Sequence, residues 1–270
     1  MFDRGVVTLC DAAYYPGLLA LHASIHDLDP VPIVCYDIGL TPEQREDAGR
    51  RADLHVLDLP PDPLIARLQR ATADAAPLQK AVKRIWPLWI CPVLIAAAPI
   101  GDVAWLDADL LVLRPIRELF ALLEGGPVFT PENRAPHLSA NAAELYDLLP
   151  VALPFDRTGP AINGGVSVWR RGRDDDALAA YIHPVAAAAD DARVRAAIAW
   201  HDQGALLWAI HALGLQSRVL ADTRWNLCVD NAGLTPEDLH WDDGLAARLR
   251  AALPDVGIVH WNGRQVPWAG

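Results

Sequence analysis

The sequence predicts an α/β fold: a mixed, mainly parallel central sheet flanked by helices, in a single domain over residues 1–270. Two observations predict it. Short apolar runs rich in β-branched residues alternate with helical patterns from the N-terminus onward, the signature of strands joined by crossover helices. The 270 residues, 52% hydrophobic and 21% charged, suffice for one buried core, and no repeat or low-complexity linker divides them.

GVVTLC at 5–10 is an apolar run ending at Asp11 and reads as the first strand. Pro16 opens GLLALHASIHDL, a helical pattern that stops before Pro30. VPIVCYD at 31–37 is the second strand. TPEQREDAGRRA follows as an exposed helix, capped by Thr41 with Pro42 in its first turn. LHVLDL at 54–59 is the third strand, followed by a proline-rich turn. Residues 77–98 read as one long, partly buried helix leading into a strand at 102–106. PIRELFALLEG is an amphipathic helix and GPVFT an edge strand. Residues 131–160 combine weak periodicity with many turn formers, as a flexible lid or acceptor loop does, or a set of static turns around Pro150, Pro154 and Pro160. GGVSVW at 164–169 is a strand. DDDALAAYIHPVAAAADDARVRAAIAW is helical with one proline break, HDQGALLWAIHALG is a helix, SRVL a short strand and VGIVHW at 256–261 the last strand.

A formal net charge of −11 argues against a non-specific grip on nucleic acid or an anionic membrane surface. Cys10, Cys35, Cys91 and Cys228 form no CxxC pair, and three lie in apolar runs, as buried thiols of a reducing compartment do. The start, MFDRGVVTLCDAAYY, lacks the apolar core of a signal peptide. IWPLWICPVLIAAAPI is 16 residues long and interrupted by Pro87, Pro92 and Pro99, short for a membrane span of about 20 residues. The expectation is a soluble, cytoplasmic protein without an integral membrane segment.

VAWLDADLLVLRP, residues 103–115, places Asp107 and Asp109 after an apolar strand. In extended chain, residues two apart face the same side, and carboxylates that close share a proton or hold a cation. Elsewhere an Asp-x-Asp serves as a solvated turn or a helix cap. In open α/β sheets, ligands collect at the carboxyl ends of strands, and here Asp11, Asp107, Asp109 and His260 all close predicted strands. Two carboxylates and an imidazole suit Mn²⁺ and leave positions open for the oxygens of a diphosphate.

VAWLDADLLVLRPI resembles the Asp-x-Asp segment of nucleotide-sugar-dependent glycosyltransferases with the GT-A fold, specifically the retaining family 8 type. Four further segments agree, in the family's order: TLCDAAYYPGLLALHASI, INGGVSVWRRG, WHDQGALLWAI and VHWNGRQVPW. The resemblance covers nearly the whole chain, with a nucleotide-binding half at 1–125 and a donor-sugar and acceptor half at 126–270.

What the resemblance implies is a hexosyltransferase moving a hexose from a UDP-sugar to a carbohydrate or other hydroxyl acceptor, with Mn²⁺ or Mg²⁺. Asp107, Asp109 and His260 would hold the metal. Thr8, Asp11, Tyr14 and Asp107 would meet the nucleotide, Tyr15 being the competing choice for stacking on the base. Lys83, Asn163, Gly164 and Gly165 would line the donor sugar. Asp202 would hold its hydroxyls, and Gln203 would lie near the anomeric carbon. Glutamine is a poor nucleophile, so the family's retention is often explained by attack on the leaving-group face, with the β-phosphate as base. Asp202 also reads as a simple helix cap. Gly263 and Arg264 would face the diphosphate, and Asn226 in TRWNLC the acceptor. One departure stands out: Val266 replaces the family's lysine before the final Pro267-Trp268, leaving Arg264 or Lys83 to supply that charge. The alternative this raises is a non-catalytic binder of nucleotide sugars on the same fold.

Overall fold

Capping fixes where the early helices begin, and two apolar faces fix how the strands stack. The computed structural model describes residues 1–73, 86–132, 140–152, 161–198, 201–235, 238–261 and 268. Among them, one sheet of six strands runs in the order β3 (Leu54–Leu57), β2 (Ile33–Asp37), β1 (Phe2–Cys10), β4 (Ile100–Leu106), β7 (Ile162–Arg170), β6 (Val128–Pro131). The first four are mutually parallel, while β7 is antiparallel to both β4 and β6. The sheet is mixed and mainly parallel, as the alternation of strands and helices predicts.

Neighbouring residues of each strand point to opposite faces. Val7, Val34, Val103, Trp105 and Trp169 line one face, packed against α3 (Pro63–Ala71), α4 (Cys91–Ala97), α7 (Asp175–Asp190) and α9 (Asp202–Ala212). Val6, Cys10, Cys35, Ala104, Leu106 and Val166 line the other, against α1 (Tyr15–His26). Both faces are buried, so these strands read as continuous apolar runs rather than alternating ones.

Helix starts follow local chemistry. In α2 (Pro42–Gly49) the Thr41 hydroxyl accepts from the Gln44 N–H at 3.2 Å, and the Gln44 side chain accepts from the Thr41 N–H at 3.0 Å. The Asp62 carboxylate opens α3 by accepting from the Leu64 N–H at 2.7 Å. Sequence reading took this segment for a turn because its prolines dominate. Yet Pro63 occupies the first helical turn, where its missing N–H costs nothing, and Leu64, Ile65 and Leu68 make the buried stripe.

Four other expectations are revised. The helix expected at 77–98 is broken in its described part: a 3₁₀ turn at Trp86–Trp89, then α4 from Cys91. Pro87 and Pro92 each lack an N–H and disfavour helix at the residue before. In α7 the chain runs straight through Pro184, and the break falls at Asp191, whose carboxylate caps α8 (Ala192–Ala197) through the Arg193 N–H at 2.8 Å. SRVL is extended only at its end: Ser217 and Arg218 belong to a 3₁₀ turn, the Arg218 guanidinium donating to the carbonyls of Leu122, Gly126 and Pro127, and Val219 then forms a single parallel bridge with Phe129. The segment 131–160 contains α6 (Ala140–Leu148); residues 133–139 and 153–160 lie outside the described residues.

Besides α3 and α6, three further elements were not foreseen: α10 (Leu245–Ala252), and β5 (Leu110–Val112) and β8 (Leu227–Cys228), which flank β9 (Ile258–His260) in a second, three-stranded sheet. α5 (Arg117–Phe120) is shorter than its amphipathic pattern suggests and passes into a 3₁₀ turn. No described helix is long and apolar enough to cross a membrane, and the four cysteines are buried.

Trp169 shows how strongly the sheet relies on its larger face. Its ring meets Phe129 edge-on at 5.3 Å and stacks on Tyr181 at 6.0 Å, and its Nε1–H donates to Ser167 Oγ at 2.8 Å. Trp169→Ala is expected to cost about 3–5 kcal/mol, read as a lower denaturant midpoint with an unchanged slope. A loss below about 1 kcal/mol would show that this face is not well packed.

Candidate active site

Two sheets meet at Asp107-Ala108-Asp109. β4 ends at Leu106, the chain turns, and β5 begins at Leu110 in the second sheet. The two aspartates therefore flank a turn rather than sharing one face of an extended strand. Register does the rest. Leu106 opposes Val166 on β7, so the Asp107 N–H donates to the Gly165 carbonyl at 3.0 Å. Leu110 opposes His260 on β9, and the Trp261 N–H donates to the Asp109 carbonyl at 3.1 Å. Residues far apart in sequence thus converge: ligand atoms of Asp107, Asp109 and His260 all lie within 4.8 Å of one another.

Each side chain is aimed by a partner. The Trp105 Nε1–H donates to Asp107 Oδ1 at 3.0 Å, leaving Oδ2 turned toward the cluster. His260 Nε2 lies 3.3 Å from Asp109 Oδ1 and 3.8 Å from Asp107 Oδ2. Asp109 and His260 are buried, whereas the Asp107 side chain keeps 40% of its exposure. A Cβ on Gly165 would lie 2.5 Å from His260 Cε1 and 2.8 Å from Asp107 Oδ2, so only glycine fits beneath those two side chains. The donor set of two carboxylates and one imidazole nitrogen suits a divalent cation of the Mn²⁺ or Mg²⁺ kind.

Crowding by protein pushes the Asp107 carboxyl up to about 6, with His260 opposing and Asp109 adding to the rise. Burial works against a charged His260, yet Asp109 and Asp107 together hold its pKa above the ordinary value.

The sugar-facing candidates lie alongside. Asn163 is buried on β7 next to the two glycines. A Cβ on Gly164 would meet Asp202 Oδ2 at 3.4 Å and Gln203 Cα at 3.5 Å, ordinary contact distances, so the start of α9 lies directly beside this residue. The Gly164 N–H donates to Gln203 Oε1 at 3.3 Å. His201, not Asp202, is the residue that opens α9, and no side chain caps that end. Asp202 instead accepts from the Tyr181 hydroxyl at 3.3 Å. Burial, and then the charge of Asp107, push the Asp202 carboxyl up to about 8. His201 itself is held at φ 57°, a left-handed conformation uncommon for a non-glycine residue, immediately before the Asp-Gln pair.

On the N-terminal side, Asp11 Oδ1 closes the turn after β1 by accepting from the N–H groups of Ala13 at 2.9 Å and Tyr14 at 3.1 Å. Tyr14 is half-buried, and burial followed by the charges of Asp109, Asp11 and Asp107 raises its phenol above the usual range, placing it beside the carboxylates. Tyr15 turns away, buried, with its hydroxyl donating to Asp47 at 2.5 Å. That leaves Tyr14 as the stacking candidate. Thr8 is fully buried within β1, and its hydroxyl has no partner among the described residues, so it offers no surface to a nucleotide. Trp268 reaches back to donate from Nε1 to the Ala13 carbonyl at 3.1 Å, and its ring lies 6.3 Å from Tyr14, edge-on. Gly17 makes room for it: a Cβ there would lie 2.5 Å from the indole and 2.4 Å from the Ala108 carbonyl.

Asn226 departs from its expected place. It is buried behind His260, with its amide committed to Thr130, Asn163 and the histidine ring, and faces no acceptor. Lys83, Gly263, Arg264 and Val266 lie outside the described residues. Sequence reasoning also missed Trp105, Tyr181, Thr130 and Glu132 as supports. A glycine inside a helical pattern, Gly17, was the one signal available for the close approach at Ala108.

No protein-family model and no curated protein sequence matches this chain. Solved structures do. The galactosyltransferase LgtC, in complex with donor and acceptor sugar analogs, superposes with a TM-score of 0.62 over 97% of this chain and 88% of LgtC, at 15% identity. The fold is GT-A. Mouse xyloside xylosyltransferase 1 in its apo form gives a TM-score of 0.55 at 16% identity, covering 96% of this chain and 98% of that one. The apo bifunctional glycosyltransferase WbbM gives 0.58 at 15% identity over 99% of this chain. Only 47% of WbbM is covered, so this chain spans about half its length. At such identities the likeness establishes the GT-A architecture, and the chemistry rests on the side chains.

Asp202 yields a prediction about pH. Its folded pKa of about 8 exceeds the ordinary 3.8 of an unfolded chain, so the stability linked to its protonated form is present below 3.8 and lost as pH rises toward 8. In metal-free buffer Asp202→Asn, which stays neutral, should gain thermal stability over the wild type as pH rises from about 5 to about 8. An offset independent of pH would show that Asp202 is not desolvated in the folded state.

Proposed function

We propose that this chain is a metal-dependent, retaining glycosyltransferase that moves a hexose from a UDP-sugar to an acceptor hydroxyl, working in the cytoplasm. The observation that carries the reading is the convergence of Asp107, Asp109 and His260 within 4.8 Å, beside Asn163, Asp202 and Gln203. Bound by those three residues, Mn²⁺ or Mg²⁺ would offset the charge of a diphosphate and ease its departure. Tyr14 would give uracil a stacking face and Asp11 would accept its N–H. Gly164 and Gly165 would let the sugar approach the backbone, with Asn163 at its side. Lys83, Gly263 and Arg264 would complete the phosphate and sugar contacts.

The reaction follows from those positions. Asp202, oriented by Tyr181, would accept hydrogen bonds from donor-sugar hydroxyls and hold the ring in place. The Gln203 amide, fixed by the Gly164 N–H, is too weak a nucleophile to form a glycosyl intermediate. The acceptor oxygen would instead attack the anomeric carbon on the leaving-group face. Its bond to carbon forms as the carbon–phosphate oxygen bond breaks, and its proton passes to the departing β-phosphate. The 131–160 segment would close over the donor and exclude water.

A panel of UDP- and GDP-sugars without acceptor, assayed for released nucleotide with Mn²⁺ or EDTA, tests this. Manganese-dependent release from one UDP-sugar is expected, reduced at least about 100-fold in Asp109→Ala. Val266 in the family's lysine position favours one other reading, a binder without turnover. Tight UDP binding with no release or transfer from any donor would select it, and neither binding nor release would reject both.

A further inference from the structure

We propose that Asn226 is a positioning residue that fixes His260 as its Nδ1–H tautomer and so presents Nε2 to the cation. The inference rests on the metal-site reading above. Carbonyl and amide ends of an asparagine are alike in shape, so the assignment must come from partners of fixed sense. Two backbone groups supply it. The Gly165 N–H, which can only donate, points at Asn163 at 2.9 Å, so the Asn163 atom there is the oxygen. The same oxygen lies 2.9 Å from Asn226, which must offer its Nδ2–H. A second check agrees. Thr130 Oγ1 donates its proton to the Val166 carbonyl at 3.1 Å, and so accepts from Asn226 Nδ2 at 2.8 Å.

With Nδ2 placed, the other end of Asn226, 2.9 Å from His260 Nδ1, is Oδ1. An oxygen there requires a proton on Nδ1. In the neutral ring Nε2 then carries the lone pair, and it faces Asp109 and Asp107 at 3.3 and 3.8 Å. The other tautomer would place two lone pairs against each other at Asn226, while the Nδ1–H form turns the Nε2 lone pair toward two carboxylates, an arrangement that a cation held between them makes favourable. Burial makes this costly: Asn163, Asn226 and His260 are each at most 5% exposed, so no bulk water relieves a mismatch. The far end is tied down too, since Asn163 Nδ2 donates to Glu132 Oε2 at 3.1 Å. A hydrogen-bonded line thus runs from Glu132 through Asn163 and Asn226 to His260, joining the strand of the donor-sugar candidates to the metal candidates.

The test begins with the unmodified protein loaded with diamagnetic Mg²⁺. Long-range proton–nitrogen NMR of the histidine rings should show His260 as the Nδ1–H form; the Nε2–H form in the loaded protein would overturn the proposal whatever the function. Mn²⁺ binding, followed by electron paramagnetic resonance without nucleotide, should be weakened about 10–100-fold in Asn226→Leu. Asn226→Asp, which keeps an oxygen against Nδ1, should retain the Nδ1–H form and restore most of the affinity, a rescue that a merely structural role would not produce. If the leucine variant fails to fold, the wild-type spectrum and the aspartate variant decide. Wild-type-like Mn²⁺ affinity in the folded leucine variant would overturn the positioning role alone. No Mn²⁺ binding by the wild type would overturn both this role and the metal-site reading, even with the Nδ1–H tautomer in place.

Discussion

Two carboxylates and an imidazole held within 4.8 Å of one another are an electrostatic burden on a fold unless protons or a cation compensate them. The elements around them are arranged to keep them there regardless. The turn between β4 and β5 passes the chain from one sheet to the other, and the pairing of Leu106 with Val166 and Leu110 with His260 fixes both ends of that turn. Gly165 removes the one side chain that would fill the space.

The same constraint accounts for the titration behaviour. Asp107 is pushed up to about 6 and Asp202 to about 8, chiefly by desolvation, with like charge adding to both. Such shifts mark a place where the fold disfavours charge that the same carboxyls carry readily in water, a frequent property of ligand sites. The surface pairs are of another kind. Arg50 with Glu46, or Arg193 with Asp191, sit largely in solvent and contribute little to stability. The contrast separates a built site from ordinary surface charge in a chain of net charge −11.

Much of this was legible in the sequence, for identifiable reasons. Apolar runs such as GVVTLC and VPIVCYD exposed the buried parallel strands, and Thr41 with Pro42 announced a capped helix. Asp107, Asp109 and His260 could be proposed together because each closes an apolar strand. What stayed hidden depends on partners distant in sequence. The three-stranded sheet was missed because β8 has two residues and β5 three, too short for any periodicity. Asn226 was expected to face an acceptor because Trp225-Asn226 matches a Trp-Asn pair of the resembled family. Its true place follows from the parallel pairing of Cys228 with His260. The α7 helix passes Pro184 because α3, α4, α8 and α9 all pack along it, a tertiary effect that propensity does not contain.

The central claim is that the corner between the two sheets is a metal site. Anomalous diffraction at the manganese edge, from crystals grown with Mn²⁺ and UDP, tests it most directly. A peak bounded by Asp107, Asp109 and His260 Nε2, with the diphosphate on its open side, is the predicted result. A nucleotide seated in the cleft with no anomalous density at that corner would contradict it.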